Sequence, residues 1–390
     1  MRLLIAGGGT GGHIYPALAV ARSLRARPAP ADAGGATAAP ELAWVGGHRG
    51  LEHAIVPAAG IPLTRLLLRS LRSAGRDIHV VLDPLRLGLS VPQALILLLV
   101  RRPAAIFTTG GYVAIPTLLV ASLLRIPSVL WEGNVVPGRS VKFVAKRATV
   151  LAVTFAATAE ALPHPNAFVT GTPIRALEAD PDEARARFGG RPGERILLVF
   201  GGSQAVRRIN AAVIGALPRL TERVRVIHVT GDDGYAAAIL ARDALPPELR
   251  DRYRPFPFLH EDMTAALSAA DLAVGRAGSS TLAEAAAFAL PMAIVPYPHA
   301  AGHQRRNAET YAADGAAILV EDADFDADKL VEVAGILADP SAHARMSAAA
   351  RDAARPRAAD AVAALVMAVA QRSPLPTQAA LDAIARGSGR

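Results

Sequence analysis

The sequence predicts an α/β protein whose two halves repeat one scheme. Short apolar runs typical of buried parallel strands alternate with Ala- and Leu-rich runs typical of helices along the 390 residues. In the first half, the glycine-rich loop Gly7–Gly12 follows the strand Arg2–Ala6. In the second half, Gly201–Gln204 follows Arg195–Phe200 in the same way. The length suits two domains of ordinary size, and a hydrophobic content of 52% lets each bury a core.

Composition and charge narrow the class of protein. The chain has no cysteine, which excludes disulfides, thiolate nucleophiles and cysteine-ligated metals. It begins directly with a strand-like segment, so we expect no signal peptide and a cytoplasmic location. A net charge of +8 favours anionic partners, but no recognition motif for nucleic acid is present, so we expect none to bind. The longest apolar run, Leu87–Val100, is too short to span a bilayer.

The first glycine loop has the spacing of a dinucleotide-binding fingerprint, which is a weak signal on its own. Gly7, Gly9 and Gly12 satisfy G-x-G-x-x-G between a strand and a helix. Pro16 is expected in the first turn of that helix. A dehydrogenase also needs an acidic residue at the end of its second strand, but Leu42–Val45 is followed by two glycines and a histidine. The missing carboxylate counts against NAD.

The rest of the first half continues the alternation of strand and helix. A helix is predicted over Pro116–Leu124, and the polar loops Thr109–Tyr112 and Glu132–Asn134 each follow a strand. The expected strands are Ala104–Thr108, Ser128–Trp131, Val150–Val153 and Ala167–Val169. Together these elements predict one α/β layer structure.

A segment with both glycine and proline, Gly171–Arg175, marks the expected boundary between the domains. We place a first domain at 1–172, a second at 173–357, a closing helix at about 358–372 and a flexible tail at 373–390. The tail contains Pro, Gly and Ser, which is typical of frayed chain ends.

The stretch Asp271–Glu309 carries the most informative pattern of the second half. A short strand, Leu272–Val274, is followed by a turn-like segment and by helical sequence from Thr281. Met292–Val295 reads as the next strand. In such a βαβ unit, the start of the helix points backbone N–H groups at whatever lies above the sheet, which is a place to hold a phosphate.

Glu284 has two interpretations. It can satisfy the backbone N–H of Thr281 in a capping box, or it can bind the two hydroxyls of a ribose one helical turn past the phosphate site. The local sequence leaves both open.

An acidic run, Glu321–Asp328, is similar to the start of a calcium loop. Ala327 replaces the glycine that such a loop requires, and Val333 replaces its closing glutamate. We therefore expect a solvated surface there, and neither a metal site nor a cofactor in the chain.

Six motifs, which follow one another in a set order along the chain, indicate a protein family far more specifically than one glycine loop does. They are GGGTGGHIYPALAVA near the start, TTGGYVAIP at 108–116, WEGN at 131–134, GTPIR at 171–175, GGSQ at 201–204 and RAGSSTLAEAAAFALPMAIVPYPHAAGHQRRNAE at 276–309. From Arg2 to about Gln371 the chain resembles the MurG family, the cytoplasmic N-acetylglucosaminyltransferases of bacterial peptidoglycan synthesis. It departs from the family pattern at Ala205-Val206, Thr172 and Gly133.

The resemblance implies the GT-B fold, two Rossmann-like domains facing across a cleft, with the last helix returning to the first domain. It implies that UDP-N-acetylglucosamine, the donor, binds the second domain. The lipid-linked acceptor, undecaprenyl-pyrophosphoryl-N-acetylmuramoyl-pentapeptide, would bind the first. The sugar would be joined in β linkage to the acceptor 4-hydroxyl, with inversion at its anomeric carbon and release of UDP.

His13 is the expected general base, because a helix dipole beside it keeps the imidazole neutral. It can instead only shape the loop or contact an acceptor phosphate. Acceptor binding is expected at Gly12, His13, Tyr112, Glu132 and Asn134. A structural loop role for Glu132 and Asn134 stays open.

Donor binding is expected at residues of both glycine loops and of the Asp271–Glu309 stretch. They are Thr10, Gly11, Gly12, Arg175, Ser203, Gln204, Leu259, Ser279, Thr281, Glu284, His303 and Gln304. Backbone amides and Arg175 would stabilise the negative charge that grows on UDP as it leaves. Arg175 can alternatively form an interdomain salt bridge.

Two other activities remain possible from the sequence. A UDP-N-acetylglucosamine 2-epimerase, or another UDP-sugar enzyme of the same fold, would need neither a membrane face nor this N-terminal loop. A nicotinamide oxidoreductase is disfavoured by the absent ribose carboxylate.

The implied acceptor stays in the bilayer, so we expect a peripheral enzyme on the cytoplasmic face of the membrane, bound to anionic lipid. Two stretches of the first domain, Leu66–Arg102 and Val141–Arg147, mix apolar and basic side chains in the way that such a surface requires. The candidates are Leu67, Leu68, Leu71, Val80, Val81, Leu85 and Phe143 with Arg69, Arg72, Arg76, Arg86, Lys142 and Lys146. Ordinary core leucines and solvated arginines are the alternative.

Overall fold

The computed structural model describes residues 1–27, 39–68, 79–201, 207–298 and 302–388. The chain forms two compact units. The first unit consists of Met1–Ala176 and Arg355–Arg390, and the second of Leu177–Ala354. The sequence placed these limits a few residues away, after 172 and 357.

The first unit is built on a seven-stranded sheet in which all neighbouring strands are parallel. Its strands are β1 (Arg2–Ala6), β2 (Glu41–Gly46), β3 (Leu63–Arg65), β4 (Ala105–Thr108), β5 (Ser128–Glu132), β6 (Val150–Val153) and β7 (Ala167–Val169). They lie in the order β3-β2-β1-β4-β5-β6-β7. The strand order reverses between β1 and β4, which is where α/β sheets of this kind bind ligands.

Helices cover both faces of this sheet. They are α1 (Gly11–Arg25), α2 (Glu52–Ala58), α3 (His79–Arg101), α4 (Gly111–Leu123), α5 (Arg139–Val144), α6 (Ala156–Ala161), α16 (Ala358–Gln371) and α17 (Gln378–Arg386). Alternate side chains of β1 point to opposite faces. Leu3 and Ile5 pack with α1, α16 and α17, whereas Leu4 and Ala6 pack with α3 and α4.

The second unit repeats the scheme with a six-stranded parallel sheet in the order β10-β9-β8-β11-β12-β13. Its strands are β8 (Ile196–Phe200), β9 (Arg225–Val229), β10 (Tyr253–Phe256), β11 (Leu272–Gly275), β12 (Met292–Ile294) and β13 (Ala317–Leu319). Its helices are α7 (Pro181–Arg187), α8 (Arg207–Thr221), α9 (Asp232–Asp243), α10 (Pro247–Arg250), α11 (Met263–Ala269), α12 (Ser279–Ala287), α13 (His303–Ala313), α14 (Ala327–Ala334) and α15 (Pro340–Ala353). Here the order reverses between β8 and β11.

Two helices begin earlier than their prolines predicted. α1 starts at Gly11 and α4 at Gly111, so Pro16 and Pro116 are each the sixth residue of a helix. Because proline has no N–H, it cannot donate to the carbonyl four residues earlier, in these helices that of Gly12 and Tyr112. The expected helix start at Pro116 and the expected position of Pro16 in a first turn were therefore wrong.

The predicted flexible tail at 373–390 was also wrong, because Gln378–Arg386 forms α17. Leu381 and Ala385 are fully buried in the core of the first unit. The Gln378 amide donates to the carbonyl oxygen of Val169 at 2.8 Å and accepts from its N–H at 3.0 Å. This side chain thus covers the edge strand β7. Tertiary packing stabilises a nine-residue helix that local composition does not predict.

Among the described residues, no helix is both long enough and apolar enough to cross a membrane.

Candidate active site

The reversal of strand order in the first unit brings the loop after β1 beside the loop after β4. His13 Nδ1 lies 2.7 Å from the carbonyl oxygen of Thr109, and the Thr109 hydroxyl donates to the His13 carbonyl at 2.9 Å. A carbonyl oxygen only accepts, so Nδ1 carries the proton of the neutral ring and Nε2 does not. The half-buried imidazole is therefore held as the tautomer that a general base needs.

Glycines after β4 make this approach possible. Gly110 and Gly111 have φ values of 81° and 73°, which glycine adopts without strain. A side chain at Gly111 would project towards the His13 ring, 3.7 Å from Cδ2. The predicted loop Thr109–Tyr112 is thus a sharp turn into α4, and the His13 ring of α1 lies against it.

A carboxylate that the sequence analysis overlooked lies under the first glycine loop. Glu52 is fully buried, six residues after β2 ends at Gly46. Its Oε2 accepts from the Gly9 N–H at 2.9 Å and its Oε1 from the Gly47 N–H at 3.0 Å. Glu52 is thus a carboxylate that does follow the second strand. Because both of its oxygens accept from backbone amides, a bound dinucleotide stays disfavoured.

Tyr112, an expected acceptor residue, is mostly buried. Its hydroxyl donates to the Arg49 carbonyl at 3.3 Å, and its ring lies against Gly9 and Gly47. Burial first, and then the nearby Glu52, raises the pKa of this phenol. The geometry makes Tyr112 part of the packing under the glycine loop.

Glu132 and Asn134, the other expected acceptor residues, bond to each other. Glu132 Oε1 accepts from the backbone N–H of Asn134 at 2.9 Å and from its side-chain amide at 3.0 Å. Glu132 Oε2 accepts from the Gly138 N–H at 2.9 Å. The buried carboxylate thus organises its own loop, which is the structural role that the sequence left open.

Thr10, Gly11 and Gly12 form the start of α1 in the first unit. Thr10 is the N-cap residue, and its carbonyl accepts from the N–H of His13 at 3.1 Å. No acidic residue occurs in the first turn, so the positive end of the helix dipole is not neutralised from within the helix.

In the second unit, β11 ends at Gly275 and α12 begins shortly afterwards, at Ser279. Its N-cap is Gly278, and no side chain caps it. Ser279 and Thr281 are therefore the first and third helical residues, and Glu284 lies a turn further on. Thr281 is not the N-cap, so the capping-box interpretation of Glu284 was wrong. Glu284 is half-buried, and its role as a ribose ligand stays a prediction.

Arg276 and Asp322 form an ion pair that the sequence did not reveal. The buried Arg276 also donates to the carbonyl of Val295 at 3.0 Å, and its guanidinium lies 5.6 Å from the centre of the Tyr297 ring. Asp322 additionally contacts Arg208, 3.4 Å away. The acidic run was expected to be solvated surface, but this member of it stabilises the loop after β12.

Two side chains at the start of α13 form hydrogen bonds with the backbone around them. Gln304 accepts from the Tyr297 N–H at 2.9 Å, and the fully buried Asn307 donates to the Ala277 carbonyl at 3.1 Å. His303 is the first residue of α13. The Leu259 side chain lies in the core, and its carbonyl accepts from the Asp262 N–H at 2.6 Å.

Several expected site and membrane-surface residues lie outside the part of the chain that the structure describes. Ser203 and Gln204 lie outside the described residues, as do Leu71, Arg69, Arg72, Arg76 and the side chains of Val80 and Val81. Arg175 is half-buried at the end of the first unit's long segment. No group of three metal-binding side chains occurs in the part of the chain that the structure describes.

Comparisons with known proteins agree with this architecture. The glycosyltransferase family 28 N-terminal domain matches residues 3–153, and the family 28 C-terminal domain matches 196–363. The UDP-N-acetylglucosamine–N-acetylmuramyl-(pentapeptide) pyrophosphoryl-undecaprenol N-acetylglucosamine transferase of Moorella thermoacetica is 36% identical over 379 residues, covering 94% of this chain and 98% of that protein. The protein of the same name from Methylococcus capsulatus is 37% identical, covering 93% and 97%. The crystal structure of Acinetobacter baumannii MurG matches with a TM-score of 0.75 and 26% identity, covering 94% of this chain and 98% of that one.

The chain belongs to the MurG family. Its two parallel sheets have the GT-B architecture of that family. A Listeria monocytogenes structure named for UDP-N-acetylglucosamine 2-epimerase also matches, with a TM-score of 0.66, but at 13% identity that likeness concerns the fold alone. As a MurG family member the chain is a glycosyltransferase, and the epimerase is the less supported alternative.

Proposed function

We propose that this protein moves N-acetylglucosamine from UDP-N-acetylglucosamine to the 4-hydroxyl of the N-acetylmuramoyl group of undecaprenyl-pyrophosphoryl-N-acetylmuramoyl-pentapeptide. Membership of the MurG family supports this donor and this acceptor. The observation that carries the chemistry is the 2.7 Å hydrogen bond between His13 Nδ1 and the Thr109 carbonyl. It orients the imidazole beside the loop that is proposed to bind the acceptor.

His13 acts as the general base. As the acceptor oxygen attacks the anomeric carbon, its proton passes to Nε2 of His13, and the bond from that carbon to UDP breaks with the electron pair leaving on UDP. The imidazolium that forms keeps its Nδ1 hydrogen bond to the Thr109 carbonyl, which becomes stronger when the donor is charged. A single displacement of this kind inverts the anomeric centre.

The second unit holds the donor. The N–H groups at the start of α12, Ser279 and Thr281 among them, face the diphosphate, and Glu284 accepts from the ribose hydroxyls. Arg276 and Asp322 keep the loop after β12 in place, and His303 and Gln304 lie where that loop enters α13. The backbone of Leu259 completes the described part of the donor site in this proposal, and Ser203 and Gln204, outside the described residues, stay predicted contacts.

On the acceptor side, the loops of the first unit act as preformed walls. Tyr112 ties the start of α4 to the loop after β2, and Glu132 and Asn134 fix the loop after β5. Gly12 and His13 line the opening between them. Arg175, near the end of the same unit, supplies positive charge for the departing UDP.

The acceptor requires a membrane face, and the first unit exposes an apolar row on α3. Leu85, Leu89 and Ile96 recur at helical spacing, and Leu85 and Ile96 are 60% and 63% exposed. Leu68 is buried, so it does not belong to this surface, whereas its neighbour Leu67 is exposed.

A second exposed part of the first unit, on and just after α5, combines an apolar side chain with cations. Phe143 is 56% exposed on α5, between the exposed cations Lys142 and Lys146. Apolar side chains can enter the headgroup region while cations meet anionic lipid. The enzyme would therefore bind peripherally to the cytoplasmic leaflet.

Incubation with radiolabelled UDP-N-acetylglucosamine and the lipid-linked acceptor tests the proposed activity. Label extracted with the lipid supports the transferase. Labelled epimer without lipid product would support the 2-epimerase instead. If neither labelled lipid nor labelled epimer forms, and activity requires an added nicotinamide cofactor, the result would support an oxidoreductase.

A further inference from the structure

The buried carboxylate of Glu52 ties together two loops that are far apart in sequence. It accepts from Gly9 in the loop after β1 and from Gly47 in the loop after β2, although Gly9 and Glu52 are 43 residues apart. Both carboxylate oxygens are committed to backbone N–H donors. A buried carboxylate is stable in such a place only when hydrogen bonds replace its water.

The surrounding glycines are shaped to this carboxylate. A side chain at Gly8 would lie 2.5 Å from Glu52 Oε1, and one at Gly46 would lie 2.9 Å from Glu52 Cγ. One at Gly50 would overlap Oε2. Three glycines, one after β1, one at the end of β2 and one in the loop that follows β2, thus leave the space that Glu52 occupies. This packing accounts for glycines that the dinucleotide fingerprint does not explain.

The same loop leads into α1, whose third residue is His13, the proposed base. Gly9 is followed by Thr10, whose carbonyl oxygen accepts a hydrogen bond from the backbone N–H of His13 at 3.1 Å. Gly111 lies close to both the glycine loop and the base. A Cβ atom at Gly111 would be 3.7 Å from the Gly8 carbonyl oxygen and 3.7 Å from His13 Cδ2. A shift of the glycine loop would therefore move both the base and the turn that orients it.

We propose that Glu52 is a positioning residue for the glycosyl transfer: from beneath the glycine loop, it fixes the backbone that places His13 against Thr109. This inference rests on the proposed function. It does not require Glu52 to touch either substrate. It predicts that the carboxylate is needed for the rate of transfer rather than for UDP binding.

The test compares Glu52→Gln and Gly8→Ala with wild type, and uses Glu160→Gln, an exposed glutamate of the same unit, as the matched control. In Glu52→Gln, an amide nitrogen replaces one carboxylate oxygen, and this nitrogen donates and cannot accept from a backbone N–H. In Gly8→Ala, the new methyl group displaces an intact Glu52. Hydrogen exchange of fragments covering 7–13 and 44–52, turnover, and the UDP dissociation constant are measured on each protein.

We expect faster exchange of both fragments in Glu52→Gln and Gly8→Ala. Turnover should fall by about 10²-fold, the cost of misplacing a catalytic group by about 1 Å, with UDP affinity unchanged within about twofold. Unchanged exchange, or faster exchange with normal turnover, would overturn the inference. If Glu52→Gln does not fold, Gly8→Ala still decides it. If the wild-type protein transfers no sugar, the proposed function is contradicted. The hydrogen-exchange rates of the variants would still test whether Glu52 fixes the two loops.

Discussion

His13 and Thr109 are 96 positions apart in sequence, and the imidazole Nδ1 of one lies 2.7 Å from the carbonyl oxygen of the other. The contact exists because the strand order reverses between β1 and β4, so that the loops after these strands share one opening. It fixes the tautomer of the ring. The proposed role of His13 as base follows from this contact more than from the motif that contains the residue.

Replacing His13 by alanine should lower turnover by about 10²–10⁴-fold, the usual contribution of a general base. UDP affinity should change little, because the proposed nucleotide contacts that dominate binding lie in the second unit. Steady-state kinetics and calorimetric UDP binding measure the two effects. His164→Ala is the matched control, since that ring also bonds a backbone carbonyl, of Ala148 at 3.0 Å, and should keep normal turnover. Near-normal turnover of His13→Ala would reject it as the base.

Replacing Glu284 by glutamine should weaken UDP binding by roughly 1.5–3 kcal/mol, the value of a hydrogen bond to a charged group. Folding stability should change little, because α12 is capped at Gly278 and not by a box involving Glu284. Isothermal titration with UDP and thermal unfolding separate the two quantities. Glu248→Gln, on the surface of the same unit, serves as control. A less stable variant with unchanged UDP affinity would assign Glu284 a purely structural role.

Charge reversal of Lys142 and Lys146 should reduce binding to anionic vesicles. Each near-surface cation contributes on the order of 1 kcal/mol, so the double change to glutamate should cost at least that much per site. Replacing Leu85 and Leu89 by glutamine should weaken binding further, because these side chains are exposed and would lose contact with lipid. Vesicle sedimentation at low salt measures both effects.

The control for this surface is Arg223→Glu with Arg242→Glu, which changes the net charge equally in the second unit. Vesicle binding should stay near wild type in the control. UDP binding should survive in every variant. Equal losses in the control and test proteins would show that net charge, rather than this surface, governs membrane binding.

Acid should destabilise the second unit through His228. This residue is fully buried, and its ring nitrogens contact Tyr253 at 2.8 Å and Asn210 at 3.0 Å. Burial lowers the pKa of His228 to about 3 from an ordinary 6.5. Between these values the unfolded chain binds a proton that the folded chain does not, so stability falls as pH drops below about 6.5, by up to about 1.4 kcal/mol per pH unit.

Urea unfolding of wild type and His228→Gln between pH 7 and pH 5 measures this dependence. The variant cannot titrate at this position, so its stability should fall less steeply over that interval. Parallel pH profiles of the two proteins would show that another group causes the acid sensitivity.

Local patterns predicted the sheets well. Val150–Val153 and Ala167–Val169 are strands with the expected limits, because strands of a parallel sheet are apolar on both faces and stand out in sequence. The repeated glycine loops likewise indicated two similar halves. These features depend on neighbouring residues, which a sequence displays directly.

The contacts that build the site depend on distant residues and were harder to predict. The Thr109 carbonyl has no side-chain signature, and any residue could supply it. Glu52 follows three nearby glycines, which was the available signal, but its partner Gly9 is 43 residues away, after the neighbouring strand. Asp322 was hidden in an acidic run whose other members suggested solvent, and its partner Arg276 is 46 residues away. Packing of α17 on β7 joins residues 209 positions apart.

The configuration of the glycosidic bond in the product tests the central claim most directly. The donor sugar is linked to UDP in the α configuration, and a single displacement assisted by His13 must deliver it in the β configuration. NMR of the purified disaccharide distinguishes the α from the β configuration by the coupling between the anomeric proton and the proton on the neighbouring carbon. We predict the large coupling of a β linkage. The small coupling of an α linkage would contradict a single base-assisted displacement at this site.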